Sequence, residues 1–232
     1  MYILGIETST KTGSVAIISE DAVIAQYSLN IEVTHSERLM STVDRVLTDT
    51  GMTLAQVDGF AVAIGPGSFT GLRIGLATIK GLALATGKPV AAVPTLKALA
   101  WNLPHAAYPV CPLLDARKKE VYAALYGFNG TELKQLLPEQ VIALSQLADA
   151  IQERTIFTGE GAHLFRDEIE RVFGQRALFA PRSTILPSAA AVAELGLDMI
   201  KRNEQADPES LAPMYIRRPE AEVAWEKKQT SQ

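Results

Sequence analysis

Two widely separated segments of the chain follow one plan, and that repetition limits the fold more than any other feature. Ile3 to Ile6 is an apolar run ending on Glu7, followed by a Thr/Ser turn and a return strand over Ser14 to Ile18. Val110-Cys-Pro-Leu-Leu-Asp115 is again an apolar run ending on an acid, followed by the polar turn Ala-Arg-Lys-Lys and a return strand over Glu120 to Tyr126. In each case a buried strand delivers a carboxylate to a hairpin turn. The match is physical rather than textual, and it predicts two similarly built halves.

The elements around the first repeat sharpen that expectation. Runs rich in Ile and Val at Tyr2 to Ile6, Ser14 to Ser19 and Val23 to Ser28 read as an antiparallel meander. Thr34-His-Ser-Glu37 has the form of a capping box, and Leu39, Val43, Val46 and Leu47 share one face of the helix it opens, which Gly51 closes. Strands then alternate with helices: Phe60 to Ile64, a helix from Gly71 to Thr86 stopped by Gly87 and Pro89, Val90 to Val93, and a helix from Thr95 to Asn102. Three antiparallel strands followed by helix, strand, helix, strand and helix give an α/β unit of the ribonuclease-H-like kind, a mixed sheet covered by helices. Two such halves facing each other are the actin-like, sugar-kinase-like (ASKHA) plan. The Pro-containing stretch 103–109 is the candidate boundary. It divides the chain into an N-terminal half (1–103), a second, smaller half (104–186), and a C-terminal helix with a polar tail (187–232) that returns toward the first half. In the second half a strand is predicted at Ile156 to Gly159, with helices at 161–173 and 188–202. The charged, proline-containing final 30 residues read as a tail that orders late, if at all.

Composition removes several classes of function. The formal charge is -4 from 26 acids and 22 bases, so any RNA contact must be local or supplied by a partner. Cys111 is the single cysteine, which excludes an internal disulfide or a thiolate metal cluster and suits a reducing compartment. The start of the chain lacks the basic lead of a secretory signal, and no run approaches the ~18 apolar residues of a membrane span. A cytoplasmic protein without membrane contact is expected.

The motifs admit two readings each. Gly65-Pro-Gly-Ser-Phe-Thr-Gly71 joins a strand to a helix, as an anion loop would, but no lysine follows to reach a phosphate; otherwise it is a tight turn capped by Ser68 or Thr70. The helix after it is apolar all round, with Leu72, Ile74, Leu76, Ile79, Leu82 and Leu84. Its outer side is covered either by this chain or by another, and Gly71 and Gly75 would admit a close neighbouring helix. Glu7, Thr8 and Ser9, with Asp115 opposite and Gly159 and Gly161 near an adenosine, would outline a nucleotide cleft; as the alternative, strand-end carboxylates simply cap turns. His35, His105 and His163 are scattered without metal-ligand spacing, which also leaves a metalloprotease reading without ligands.

Taken together, Leu4-Gly-Ile-Glu-Thr-Ser9, Gly65-Pro-Gly-Ser-Phe-Thr-Gly-Leu-Arg73, Lys80-Gly-Leu-Ala83, Asp115-Ala-Arg117 with Glu120-Val-Tyr122, and Tyr215-Ile-Arg217 resemble the TsaB family of bacterial tRNA threonylcarbamoyladenosine biosynthesis proteins. The resemblance runs in order over nearly the whole chain. It implies an actin-like fold and a part in placing threonylcarbamoyl on adenosine 37 of ANN-decoding tRNAs. The catalytic relative, TsaD, carries a metal-binding histidine pair where this chain has Thr95 and Leu99. The resemblance therefore implies a non-catalytic subunit that pairs with TsaD, supports TsaE binding, reaches tRNA through the complex and forms a homodimer in isolation. It implies no cofactor on this chain, with ATP and metal on the partner subunits. On this reading Leu39, Val43, Val46, Ile74 and Ile79 supply the apolar contact, and His35 and Arg73 lie toward a polar rim. The alternative is an actin-like ATPase or phosphotransferase that binds nucleotide between the two halves.

Overall fold

The computed structural model describes residues 1–30 and 35–217, and of residues 35–37 the backbone only. Thr34 of the expected capping box and the side chains of His35 and Glu37 therefore lie outside the described residues, as do residues 218–232 of the tail.

The first half builds a five-stranded sheet from β1 (Ile3–Glu7), β2 (Thr12–Ile18), β3 (Val23–Asn30), β4 (Gly59–Gly65) and β5 (Val90–Pro94), in the order β3-β2-β1-β4-β5. The second builds another from β6 (Val110–Asp115), β7 (Val121–Asn129), β8 (Glu132–Ile142), β9 (Thr155–Thr158) and β10 (Ala177–Phe179), in the order β8-β7-β6-β9-β10. The two orders are the same, each strand of the second sheet taking the place of the strand five earlier. Both sheets are antiparallel through their first three strands and parallel beyond them. The repeated strand-acid-turn plan thus reports a repeated sheet.

Helix α1 (His35–Thr50) and helix α2 (Phe69–Thr86) cover one face of the first sheet, and α7 (Ala189–Lys201) covers the other. The period-two alternation of the strands sorts residues by size. Leu4, Ile6, Phe60 and Val62 point to α1 and α2, whereas Ile3, Gly5, Ala61 and Ala63 point to α7. α7 answers with Ala189, Ala193 and Gly196, so small residues meet small residues and the helix lies close to the sheet. α3 (Thr95–Trp101) sits between the halves, with Leu96, Leu99 and Ala100 against Val110, Leu114, Ala124 and Tyr126 of the second sheet. The far side of that sheet is covered by α4 (Leu144–Ala150), α5 (Glu160–Leu164) and α6 (Arg166–Phe173).

Capping chemistry explains the ends of α2. The Ser68 hydroxyl accepts a hydrogen bond from the Gly71 amide at 3.3 Å, and Gly87, at φ 68°, stops the helix in the left-handed region with its N–H on Ala83 O at 2.8 Å. Three expectations need correction. The helix foreseen over 161–173 is two helices meeting at Phe165, because α5 packs on β6 and α6 packs on α4. The long strand β8 was missed: it is a half-exposed edge strand, and Pro138 falls where its pairing with β7 is irregular, a position that tolerates proline. Finally, residues 203–217 do not trail off. Ala206 bridges to Val90, Leu211 is buried, and Met214 donates its N–H to Ile64 O at 2.7 Å, which extends the C-terminal strap along the first half.

Lys88 secures the return into β5. Its ammonium donates to Leu54 O at 2.8 Å, to Ala55 O at 2.7 Å and to Val57 O, gathering the carbonyls of the short 3-10 turn Leu54–Gln56. Lys88→Met keeps the aliphatic stem and strands three acceptors, so a loss of about 1–2 kcal/mol is expected. Urea unfolding of the variant checks this; an unchanged midpoint would mean that water replaces the ammonium at no cost.

Candidate functional site

Glu7 ends β1 and is completely buried. One carboxylate oxygen, Oε1, accepts the Ser9 N–H at 2.7 Å, while Oε2 has no hydrogen-bond partner among the described residues. The buried hydroxyls of Ser9 and Thr95 are likewise unpartnered. The loop 65–68 and α2 close over the residues that follow Glu7. Ser68 N–H donates to Ser9 O at 2.6 Å, and Gly67 passes so close that a Cβ there would lie 2.2 Å from Ser9 O. The first turns of α2 complete the seal, with the Thr8 hydroxyl donating to Gly71 O at 2.8 Å and Gly75 leaving space for that hydroxyl. Burial pushes the Glu7 carboxyl up to about 7; the hydrogen bond from the Ser9 N–H acts against that, and the nearby charge of Glu160 adds to it.

Asp115 occupies the matching position at the end of β6, where Oδ1 accepts the Arg117 N–H at 2.8 Å. Glu160 opens α5, and its carboxyl is also raised, first by burial and then by the Asp115 charge, with Lys11 and Arg117 opposing. The fold therefore brings Glu7, Asp115 and Glu160 toward one another, and Glu160 is the member that sequence reasoning left out. Only its place between Gly159 and Gly161 hinted at it.

As placed, these residues do not form an open phosphate cradle. Glu7, Thr8 and Ser9 are all buried, Thr8 held by the start of α2 and Ser9 by the loop 65–68. Gly159, at φ 91°, and Gly161 are required by the approach of α5 to β6: Cβ atoms there would lie 2.2 Å from Leu113 O and 2.9 Å from Leu113 C.

The helical face is corrected in a different way. Leu39, Val43, Val46 and Ile79 are 5%, 2%, 0% and 0% exposed and belong to the core between the helix pair and the first sheet, so they have no area left to give another chain. Ile74 is partly buried at the edge of that core, and Arg73 is exposed. Gly75 faces Thr8 of this chain, and the Gly71 carbonyl is held by the same residue, so the glycine pair serves the internal approach of α2 to the β1–β2 turn. The outward stripe of α2 is instead Ala77, Gly81, Leu84 and Ala85, with Leu84 88% exposed, and Met40 of α1 is also exposed. Ala77, Gly81 and Ala85 fall four residues apart and Leu84 falls three after Gly81, so they share one side of the helix. Thr95 and Leu99, aligned above with a histidine pair, are fully buried at the α3 interface between the halves. Among the described residues no three His, Cys, Asp or Glu side chains are gathered to hold a metal ion, and no helix is long and apolar enough to cross a membrane.

At the N-terminal end of α2 the strap adds an aromatic cluster. Tyr215 stacks on Phe69 with ring centroids 5.1 Å apart, and Arg73 lies over the Phe69 ring at 3.9 Å while donating to the Tyr215 hydroxyl at 2.9 Å. Two residues on, Arg217 crosses to the second half, donating to Ala116 O and pairing with Glu120. The motif Tyr215-Ile-Arg217 is therefore a fastening between the halves.

Comparison with known proteins agrees with this architecture. A family model described as TsaD, tRNA N6-adenosine threonylcarbamoyltransferase, matches residues 24–225. A curated relative from Bacillus subtilis (strain 168), the tRNA threonylcarbamoyladenosine biosynthesis protein TsaB, is 36% identical over 228 residues, covering 97% of this chain and 98% of the relative. A crystal structure from Pseudomonas aeruginosa, described as an uncharacterized protein with similarity to peptidase YEAZ, superposes with a TM-score of 0.81 at 30% identity, over 93% of this chain and 99% of that one. The ROK hexokinase of Thermus thermophilus, at 12% identity and a TM-score of 0.51 over 87% of this chain and all of that one, shares the fold alone. Two like sheets in the actin-like arrangement, and 36% identity over nearly the full length to a TsaB protein, show that the chain belongs to the TsaB family, within the reach of the TsaD-type family model.

Proposed function

We propose that this chain serves the formation of N6-threonylcarbamoyladenosine at position 37 of ANN-decoding tRNAs as a non-catalytic subunit. It pairs with TsaD through the outward faces of α1 and α2, supports TsaE binding, and leaves ATP and metal to those partners. In isolation the same face pairs with a second copy of the chain.

The observation that carries this reading is the outward stripe of α2. Leu84 stands 88% exposed beside Ala77, Gly81 and Ala85, an apolar surface with no side chain large enough to hold another helix away. Exposed apolar stripes of this kind mark association surfaces in soluble proteins. Thr95 and Leu99 support the non-catalytic part, since neither side chain can act as an imidazole ligand.

Leu84→Asp tests the proposal without touching the core. Capture of TsaD by the purified variant should weaken about thirtyfold, because a desolvated carboxylate would meet an apolar partner, while the circular dichroism spectrum and urea midpoint stay unchanged. In cells lacking the chain, the wild type should restore the modified nucleoside to bulk tRNA and the variant should not. Equal capture of TsaD by both proteins would remove the stripe from the interface.

A further inference from the structure

The hairpin turn joining β6 to β7 is built against local preference. Ala116 N–H donates to Glu120 O and Glu120 N–H donates to Arg117 O, both at 3.0 Å, which closes a tight turn with Lys118 and Lys119 at its centre. Arg117, Lys118 and Lys119 adopt φ of 64°, 54° and 63°, three successive non-glycine residues in the left-handed region. Such a turn is ordinarily Asn-Gly, because an L side chain there meets the following carbonyl. The residues that hold the turn come from elsewhere in the chain. Asp115 accepts the Arg117 N–H at 2.8 Å, and Arg217 of the strap ties down both the Ala116 carbonyl and the Glu120 carboxylate.

The result is a rigid display of charge. Arg117, Lys118 and Lys119 are all exposed, and the Arg117 side chain is 82% exposed even with Asp115 3.5 Å away. Asp115 pairs with Arg117, and Glu120 pairs with Arg217 of the strap. In a chain of net charge -4 this is a local positive site. Three strained cations in a turn that Asn-Gly would relax are a surface kept for its charge rather than for its fold.

We propose that the Arg117–Lys119 turn contacts the phosphate backbone of RNA, namely the tRNA on which the proposed complex acts. The inference rests on that functional reading and adds to it a direct RNA contact by this subunit. The turn carries no base-reading group in a fixed pocket, so it positions the RNA and does not select its sequence.

The test is the paired variant Lys118→Asn, Lys119→Gly in the full chain. Relaxing the turn should stabilise the fold, lowering the unfolding constant in urea about tenfold. Binding of an unmodified ANN-decoding tRNA transcript by the complex with TsaD should weaken about tenfold near 0.1 M salt. The slope of log K against log salt should fall by about 1.5, the share of two phosphate contacts. Arg at both positions should restore tRNA binding. Assembly of the unaltered chain with TsaD is measured first, without RNA: failure there sinks the functional reading, and this proposal with it. Normal assembly with unchanged tRNA affinity and salt slope in the Asn-Gly variant overturns this proposal alone. A loss of TsaD or TsaE capture with tRNA binding intact overturns it too, and assigns the turn to an acidic protein surface.

Discussion

Glu7→Gln should make the protein more stable at pH 8 by about 3 kcal/mol while leaving it almost unchanged at pH 5. The carboxyl is fully buried, and burial raises it to about 7 from an ordinary 4.5. The folded chain therefore holds a proton that the unfolded chain has released between those two values. Stability falls as pH rises wherever the native state binds the extra proton, so the wild type loses stability from about pH 4.5 upward, and the loss is complete near pH 8. A difference of this size corresponds to about 3 kcal/mol at ~1.4 kcal/mol per pH unit, an order-of-magnitude figure. Glutamine keeps an oxygen for the Ser9 N–H and cannot ionise. Urea midpoints at pH 5, 6, 7 and 8 decide the matter: the two proteins should match at the acid end and separate steadily toward the alkaline end. Parallel curves would show that the Glu7 charge is accommodated, by water entering beside the unpartnered Oε2.

Gly196→Val should cost about 3 kcal/mol or more. α7 lies on the first sheet through its smallest residues, and a Cβ at Gly196 would stand 2.4 Å from the Ala61 Cβ and 3.2 Å from the Ala91 Cβ. Neither alanine has a rotamer to give, so the helix itself must lift, and that opens the contacts of Ala189, Ala193 and Ile200 along with it. Gly81 of α2 is the internal comparison, because nothing lies within 4 Å of a Cβ placed there. Gly81→Ala should therefore gain about 0.5–1 kcal/mol from backbone entropy alone. Thermal unfolding of both variants measures the contrast. A Gly196→Val protein that melts with the wild type would mean that the α7 seam is loose.

Much of this molecule was legible in its residues. The strands Val110–Asp115 and Val90–Pro94 and the helices Thr95–Trp101 and Ala189–Lys201 fall where period, caps and prolines put them, within a residue. The duplicated sheet followed from two apolar runs that each end on an acid. Such features are local, set by side-chain spacing and by the free N–H and C=O groups at helix ends, so one segment suffices to read them.

What the tertiary structure decided is which neighbour each apolar face would meet. On a helix apolar all round, pattern cannot separate the stripe facing its own sheet from the stripe left outside. Packing put Ile79 inside and Leu84 outside, and it turned Gly75 toward Thr8. The edge strand β8 stayed hidden because half-exposed pairing tolerates Pro138, and the strap stayed hidden because its anchors, Ile64, Phe69 and Glu120, lie far along the chain. The protonation of Glu7 belongs to the same class: a carboxyl titrates in the environment that distant segments close around it, and no stretch of residues carries that environment alone.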